Sequence, residues 1–157
     1  MKFSAQEEYG LRCLLQIGRL GPEGSMTIPE ISRVEGMSAT HVAKLLMILR
    51  KSGFITSTRG HQGGYSLSKP ADQIFVGDVL EALGGKLYDS GFCGKHRGVN
   101  EVCTHAVDCS VRSLWQVVQG AVDNVLDRVS LSDLIATREN VSNVQFMVRP
   151  KPAAVGS

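Results

Sequence analysis

The stretch TIPEISRVEGMSATHVAKLLMILRKSG, residues 27 to 53, predicts two helices separated by a tight turn. Thr27 and Glu30 have the spacing of a capping box, with a proline in the first turn, where its missing N–H costs nothing. A short helix is therefore expected to run from this box to about Glu35. Gly36 begins the turn that follows it.

The second helix of this stretch has two different faces. Ser38 can cap its start, and Gly53 can end it. One face is a core-facing stripe with i, i+3, i+4 and i+7 spacing, made of Val42, Leu45, Leu46 and Leu49. The opposite face is mainly polar and basic and presents Thr40, Lys44, Met47 and Lys51, with His41 on its flank. This pair of helices is typical of a helix-turn-helix, whose second helix enters the major groove of DNA.

A predicted hairpin after the two helices makes this interpretation more specific. Residues 54–58 are expected to form a strand, residues 59–64 a flexible glycine-rich turn, and residues 65–68 a returning strand. This pattern indicates a β-wing. Its tip carries Arg59 and His61 and can approach a phosphate backbone closely, and an arginine can enter the minor groove. The less specific alternative is a mobile hairpin without a partner.

Helices are also expected on both sides of this region. Residues 4 to about 20 predict a first helix, and residues 76–83 predict another that stops at a glycine pair. Periodicity is then lost until about residue 108. Beyond it a heptad seam about twenty residues long is formed by Val111, Trp115, Val118, Val122, Val125 and Val129. Such a helix needs a cover, either the chain's own first helix or a second copy, and a homodimer is favoured. A last short helix is expected at residues 130–136.

Composition and charge narrow the class of protein. The chain has 157 residues with 43% hydrophobic and 20% charged content, which is ordinary for one soluble domain or a small domain with a helical arm. No apolar run approaches the roughly 20 residues of a membrane span, and the N-terminus lacks a secretory signal, so a cytoplasmic location is expected. Residues 1–70 carry nine Lys and Arg against five Glu, a net +4, whereas residues 71–137 carry five against nine acids, a net −4. The basic half is the one that contains the helix-turn-helix pattern.

Three of the four cysteines, Cys93, Cys103 and Cys109, lie in a polar segment where no helix is predicted. In a reducing compartment, clustered cysteines are more often metal ligands or redox thiols than disulfides. Their spacing lacks the paired two-residue gap of a zinc ribbon, while a flexible loop can wrap three thiolates around an iron–sulfur centre, which normally has four ligands. Cys13 is one candidate for the missing ligand, but it lies on the apolar face of the first helix, which favours its interpretation as a core residue. His96 and His105 are as easily solvent-exposed as ligating.

The capping box, the helix SATHVAKLLMILRKSG, the wing, the helix VGDVLEALGG and the three-cysteine loop, in this order, resemble the Rrf2 family. The resemblance covers residues 1 to about 136. It implies a bacterial transcription regulator with a winged helix-turn-helix and a long dimerisation helix. It also implies an iron–sulfur cluster, held in many members by three such cysteines.

The resemblance also bears on the fourth cluster ligand. Members that resemble the iron–sulfur biogenesis regulator carry a histidine three residues after the last cysteine, where this chain has Arg112. Nitric-oxide-sensing members instead use an acidic residue of the first helix, contributed by the other subunit, and Glu8 occupies the matching place. Glu8 is therefore the expected ligand and [4Fe-4S] is favoured over [2Fe-2S], with Glu7 a weaker candidate. The alternative for Glu8 is an ordinary first-turn glutamate that complements the helix dipole.

The prediction is a mainly α protein with a small β-wing that is not an enzyme. A winged helix-turn-helix is expected in residues 1–70, the cluster loop and dimerisation helix in residues 71–137, and a flexible tail in residues 138–157. On double-stranded operator DNA, the side chains expected near base edges are Thr40, His41 and Lys44, and those expected mainly on phosphates are Arg50, Lys51 and Arg59. No small-molecule substrate is expected. The alternatives are a cluster-free regulator that senses through thiols or another metal, and a small electron-transfer protein.

Overall fold

Six α-helices and one two-stranded antiparallel sheet form the regular structure of residues 3–60, 63–89, 91, 95 and 109–137, which the computed structural model describes. In chain order they are α1 (Ala5–Gly18), α2 (Ile28–Glu35), α3 (Ala39–Lys51), β1 (Ile55–Ser57), β2 (Tyr65–Leu67), a short 3-10 helix (Ala71–Gln73), α4 (Val76–Gly84), α5 (Ser110–Leu126) and α6 (Leu131–Thr137). The mainly helical fold with a small wing is as predicted.

Local side-chain caps define where the first two helices begin. At α2, the hydroxyl of Thr27 accepts from the backbone N–H of Glu30, and the Glu30 carboxylate accepts from the backbone N–H of Thr27 at 2.7 Å. The same reciprocal arrangement joins Ser4 and Glu7 at α1. Each box satisfies two N–H groups that the helix leaves without partners. The hydrogen bonds from the backbone N–H of Thr27 and then from its hydroxyl lower the pKa of the Glu30 carboxyl.

The turn between α2 and α3 depends on one glycine. Gly36 adopts a left-handed conformation with φ of 66°, which is strained for any residue with a Cβ. Two residues later Ser38 caps α3, its hydroxyl accepting from the backbone N–H of His41 at 3.2 Å. The turn therefore sets the direction of α3 within a few residues.

The core lies where α1, α3 and α4 meet. Leu14 and Ile17 of α1 are fully buried, as is the whole apolar stripe of α3, Val42, Leu45, Leu46 and Leu49. Gly10 allows α4 to approach α1 closely, because a Cβ there would lie 2.5 Å from Cδ2 of Leu83.

The two strands form a short ribbon attached to the helical core. Ile55 pairs with Leu67 and Ser57 with Tyr65, and Tyr65 also pairs with Met26 ahead of α2. At the loop end of the ribbon, the backbone N–H of Thr58 donates to the carbonyl of Gly64 at 2.7 Å. The position of the wing relative to α2 and α3 is thus fixed by backbone hydrogen bonds on both sides of β2.

The long helix α5 packs against α4 and ends earlier than the heptad pattern predicts. It stops at Leu126, so the prediction that Val129 continues the seam is wrong. The carbonyl of Val129 instead accepts from the N–H of Val76 at 2.9 Å, and Ser130 pairs with Phe75, which turns the chain back toward the core. In the part of the chain that the structure describes, no helix is long and apolar enough to cross a membrane.

Candidate nucleic-acid interface and cysteine sites

The exposed face of α3 carries the side chains predicted to read DNA. Thr40, Lys44 and Lys51 are exposed, Met47 is 45% exposed, and His41 is half-buried at the first turn. The opposite side of the helix is completely covered, because its four stripe residues are at most 1% exposed. The burial on one face thus holds the polar face outward.

The charged side chains of the segment that contains α3 and the wing are all positive. Residues 36 to 71 contain five Lys and Arg and no Asp or Glu. The five are Lys44, Arg50, Lys51, Arg59 and Lys69, and each is exposed. The ammonium group of Lys69 lies 5.5 Å from the ring centre of Phe54, at the base of the wing. A polyanion approaching α3 and the wing therefore meets cations and no carboxylate from this part of the chain.

The wing places Arg59 at the start of its tip. Gly64 is pinned to Thr58 on both of its backbone polar atoms, since its N–H donates to the Thr58 hydroxyl at 3.0 Å and that hydroxyl donates back to its carbonyl at 2.9 Å. The turn thus closes next to Arg59, whose side chain is exposed. His61, the other predicted wing residue, lies outside the described residues.

A polar cluster that the sequence did not reveal lies where α1 meets the helix-turn-helix. The rings of Tyr9 and His41 are 5.6 Å apart between centroids, with an interplanar angle of 85°. The Arg12 guanidinium lies over the Tyr9 ring at 5.4 Å and donates to Glu35 at 2.7 Å between Nε and Oε2. These residues come from three separate helices, and no short-range spacing signals their contact.

The cysteines that the structure describes differ in environment. Cys13 is fully buried, and burial, followed by the nearby Glu35 carboxylate, raises the pKa of its thiol to about 12. Cys109 is half-buried at the N-cap of α5, where its Sγ accepts from the backbone N–H of Arg112 at 3.3 Å. The interpretation of Cys13 as a core residue agrees with this burial. Cys93 and Cys103 lie outside the described residues.

The two first-turn glutamates of α1 also differ. The Glu7 carboxylate is engaged in the capping box, where it accepts from the backbone N–H of Ser4 at 2.6 Å. Glu8 is exposed, and its carboxylate makes no hydrogen bond or ion pair with any residue described. Of the two predicted ligands, Glu8 is the one whose carboxylate is available. Within residues 3–60, 63–89 and 109–137, no three Cys, His, Asp or Glu side chains converge on one metal position.

Thiol alkylation is expected to distinguish the two cysteines. At pH 8 only about one Cys13 thiol in ten thousand is ionised, given a pKa of about 12, and the thiolate is the reactive form. We therefore expect iodoacetamide to modify Cys109 in the native apoprotein within minutes and to leave Cys13 unmodified, as read by peptide mass spectrometry. Cys13 should react only after denaturation. Equal labelling of both thiols in the native state would show that Cys13 is not in the core.

Comparison with known proteins identifies the family of this chain. Residues 3–137 match the family model Rrf2, described as an iron-dependent transcriptional regulator. The chain belongs to the Rrf2 family. Protein rrf2 of Nitratidesulfovibrio vulgaris is 36% identical over 135 residues, which cover 86% of this chain and 87% of that protein. The HTH-type transcriptional regulator IscR of Aliivibrio salmonicida is 30% identical over 139 residues, covering 88% and 80% of the two chains.

Solved structures of Rrf2-type regulators share the fold. The IscR structure from T. potens has a TM-score of 0.71 and 29% identity, and the match covers 92% of this chain and 93% of that one. CymR of B. subtilis, described as the global cysteine regulator, has a TM-score of 0.69 and 28% identity, and the match covers 87% of this chain and 97% of that one. The chain is therefore a transcriptional regulator, and its relatives are regulators rather than enzymes. The predictions of a transcriptional regulator and of a protein that is not an enzyme are both confirmed.

Proposed function

We propose that this Rrf2-type regulator is a homodimer that binds operator DNA through α3 and the wing, and that an iron–sulfur cluster held by its cysteines sets that affinity. The observation that carries the DNA-binding role is the exposed α3 face. It combines polar side chains with a surrounding segment, residues 36 to 71, that contains five cations and no anion. The family assignment supports the same role.

The residues of the interface divide by their position. Thr40, His41 and Lys44 are near the N-terminus of α3, the end that contacts base edges in helix-turn-helix proteins. Arg50 and Lys51 are in its last turn, and Arg59 is on the wing, where phosphates are the natural partners. His61 is assigned to the wing contact on its sequence position alone.

Replacing Lys51 by alanine tests the phosphate role. One phosphate contact per subunit is lost, so we expect affinity to fall about equally for operator and non-operator DNA. The slope of log affinity against log salt should fall by roughly 1 to 2 per dimer. Fluorescence anisotropy between 50 and 200 mM salt, a range suited to counterion release, measures both quantities. An unchanged slope would remove Lys51 from the phosphate contacts.

The homodimer is supported by the outer surface of α5. Its large apolar side chains are unusually exposed for a helix of a soluble protein, with Val111 at 55%, Leu114 at 54%, Trp115 at 39%, Val117 at 69% and Val125 at 52%. A second copy offers the same surface, and a two-fold axis pairs the two faces with each other. Dimerisation also presents two α3 helices to successive major-groove faces, about 34 Å apart on B-DNA.

The cluster proposal depends on the cysteines and Glu8. Cys109 offers sulfur at the start of α5, where helix N–H groups favour a negatively charged ligand. Glu8 offers a free, exposed carboxylate on the first turn of α1. Both fit an iron–sulfur ligand set, in which Cys93 and Cys103 supply the other two thiolates. When bound, such a cluster supplies a centre that reacts with small oxidants and with nitric oxide, and a carboxylate ligand is more readily replaced than a thiolate.

Anaerobic native mass spectrometry of the dimer tests the cluster directly. We expect a mass increase that corresponds to four iron and four sulfide per subunit, and its loss when Cys93, Cys103 and Cys109 are all replaced by serine. Glu8→Ala should retain the cluster but lose it faster in air, with Glu7→Ala as the matched control. A colourless, iron-free wild-type protein whose DNA binding still depends on the three cysteines would support the thiol-sensing alternative instead.

A further inference from the structure

We propose that Tyr9 of α1 is a positioning residue for operator reading, because its ring sets the orientation of the His41 side chain on the recognition helix. The proposal rests on the DNA-binding role given above and adds a residue of α1, outside the recognition helix and the wing.

The first step is the contact between the two rings. Tyr9 and His41 meet at 5.6 Å in an edge-to-face arrangement, which is a favourable geometry for aromatic pairs. The backbone of His41 is already fixed, since its N–H donates to the capping hydroxyl of Ser38 at 3.2 Å. The remaining freedom of His41 is in its side chain, and Tyr9 is the aromatic partner that limits it.

The second step is that Tyr9 is itself held in place by Arg12, which links it to α2. Arg12, one turn further along α1, stacks its guanidinium on the Tyr9 ring at 5.4 Å. The same guanidinium is tied to Glu35 by an ion pair of 2.7 Å, and Gln16 also donates to this carboxylate. The side chain of Glu35 is only 7% exposed and that of Arg12 is 42% exposed, so water screens their attraction less than it would for a fully exposed pair.

The third step is the location of Glu35. It is the last residue of α2, immediately before the Gly36 turn that sets the direction of α3. The cluster of Tyr9, Arg12, Glu35 and His41 therefore contacts α1, α2 and α3 at the point where the helix-turn-helix bends. Helix α1 is in this way tied both to the turn and to a side chain assigned to base reading.

Tyr9 also packs partly against the core, so its truncation affects stability as well. The two roles predict different losses. A purely structural residue lowers affinity for every DNA sequence alike, whereas a residue acting through His41 lowers discrimination at the base pair that His41 contacts.

The experiment begins by selecting an operator from random duplexes with the wild-type protein. Affinities for this operator and for its single base-pair variants are then measured with Tyr9→Leu, Tyr9→Phe, His41→Ala and the double variant Tyr9→Leu/His41→Ala. We expect Tyr9→Leu to lose about five- to tenfold in discrimination at the position that His41→Ala affects, with an unchanged salt slope. Tyr9→Phe should retain discrimination, and Tyr9→Leu should add nothing in the His41→Ala background. Leu11→Ala, on the same helix and also packed against the core, is the control for lost packing.

A measurement without DNA separates this proposal from the DNA-binding role. In proton NMR spectra of the free protein, ring currents of Tyr9 shift the His41 imidazole signals, so these signals should move in Tyr9→Leu and stay in place in Tyr9→Phe. Unmoved signals, or equal loss of affinity across all base-pair variants, would overturn the positioning role while leaving DNA binding intact. Failure of the wild-type protein to enrich any duplex would instead remove the DNA-reading role on which the proposal depends.

Discussion

Replacing Leu46 by alanine is expected to lower the free energy of unfolding by about 2 to 5 kcal/mol. Leu46 is fully buried in the stripe that joins α3 to the core, and its truncation removes apolar contacts and leaves a cavity. This is a large part of the 5 to 15 kcal/mol that stabilises a typical domain. Urea denaturation followed by circular dichroism measures it, at one fixed protein concentration because association adds to apparent stability.

The neighbouring residue supplies the matched control. Met47 follows Leu46 on α3 but is 45% exposed, so Met47→Ala should change the free energy of unfolding by no more than about 0.5 kcal/mol. For DNA affinity we expect the reverse order, with the larger direct effect from Met47→Ala, since Met47 lies on the exposed face of α3 and Leu46 does not. Equal destabilisation by both would mean that α3 is not oriented with this stripe toward the core.

Most of the helix-turn-helix could be predicted because its signals are local. The box of Thr27 and Glu30 and the cap at Ser38 act within three residues, and the left-handed Gly36 needs only its own missing Cβ. The stripe of α3 repeats at helical spacing, so one face of the helix had to be buried and the other exposed. Local chemistry and tertiary packing agree throughout this segment, and prediction from sequence works best in such a segment.

The polar cluster of Tyr9, Arg12, Glu35 and His41 could not be predicted, because its signals are not local. Tyr9 and Arg12 are far in the sequence from Glu35 and His41, and the two pairs meet only because of the angles between three helices. The contacts of Tyr9 with a cation and an imidazole have no signal in the pattern that predicts the first helix and appear only in three dimensions. The capping contact of Glu7 distinguishes it from Glu8, and its signal was local, because Ser4 and Glu7 have the same spacing as Thr27 and Glu30.

The orientation of α5 shows how a tertiary contact changes a sequence pattern. The helix buries Gln119, whose carbonyl accepts from the backbone N–H of Tyr88 at 2.8 Å and whose amide donates to Asp123 at 2.7 Å. Because the side of α5 that carries Gln119 packs against the rest of the protein, the exposed apolar face is centred closer to Leu114 and is not confined to the predicted heptad seam. The periodicity of apolar residues does not reveal a buried glutamine, so the orientation of α5 about its axis could not be predicted from the sequence.

Introducing a charge at Leu114 is expected to have the largest effect on function. In a two-fold dimer through α5, Leu114→Glu places a carboxylate from each subunit in or beside the shared apolar interface, where desolvation and mutual repulsion both oppose association. We expect the 17.0 kDa chain to become monomeric at micromolar concentration. Operator affinity should then fall at least about 100-fold, because each recognition helix binds its half-site without the other. Sedimentation velocity and anisotropy titration measure the two effects.

The control is a glutamate placed on the same helix away from the apolar face. Gln116 is exposed, and at 100° per residue it lies 160° from Leu114 in projection. Gln116→Glu adds the same charge and should remain dimeric, with operator affinity reduced by no more than about threefold through weaker long-range attraction to DNA. A dimeric Leu114→Glu would mean that another surface forms the dimer and that the exposed side of α5 has a different partner. A monomeric variant with undiminished affinity would show that one recognition helix is sufficient, which the spacing of successive major grooves argues against.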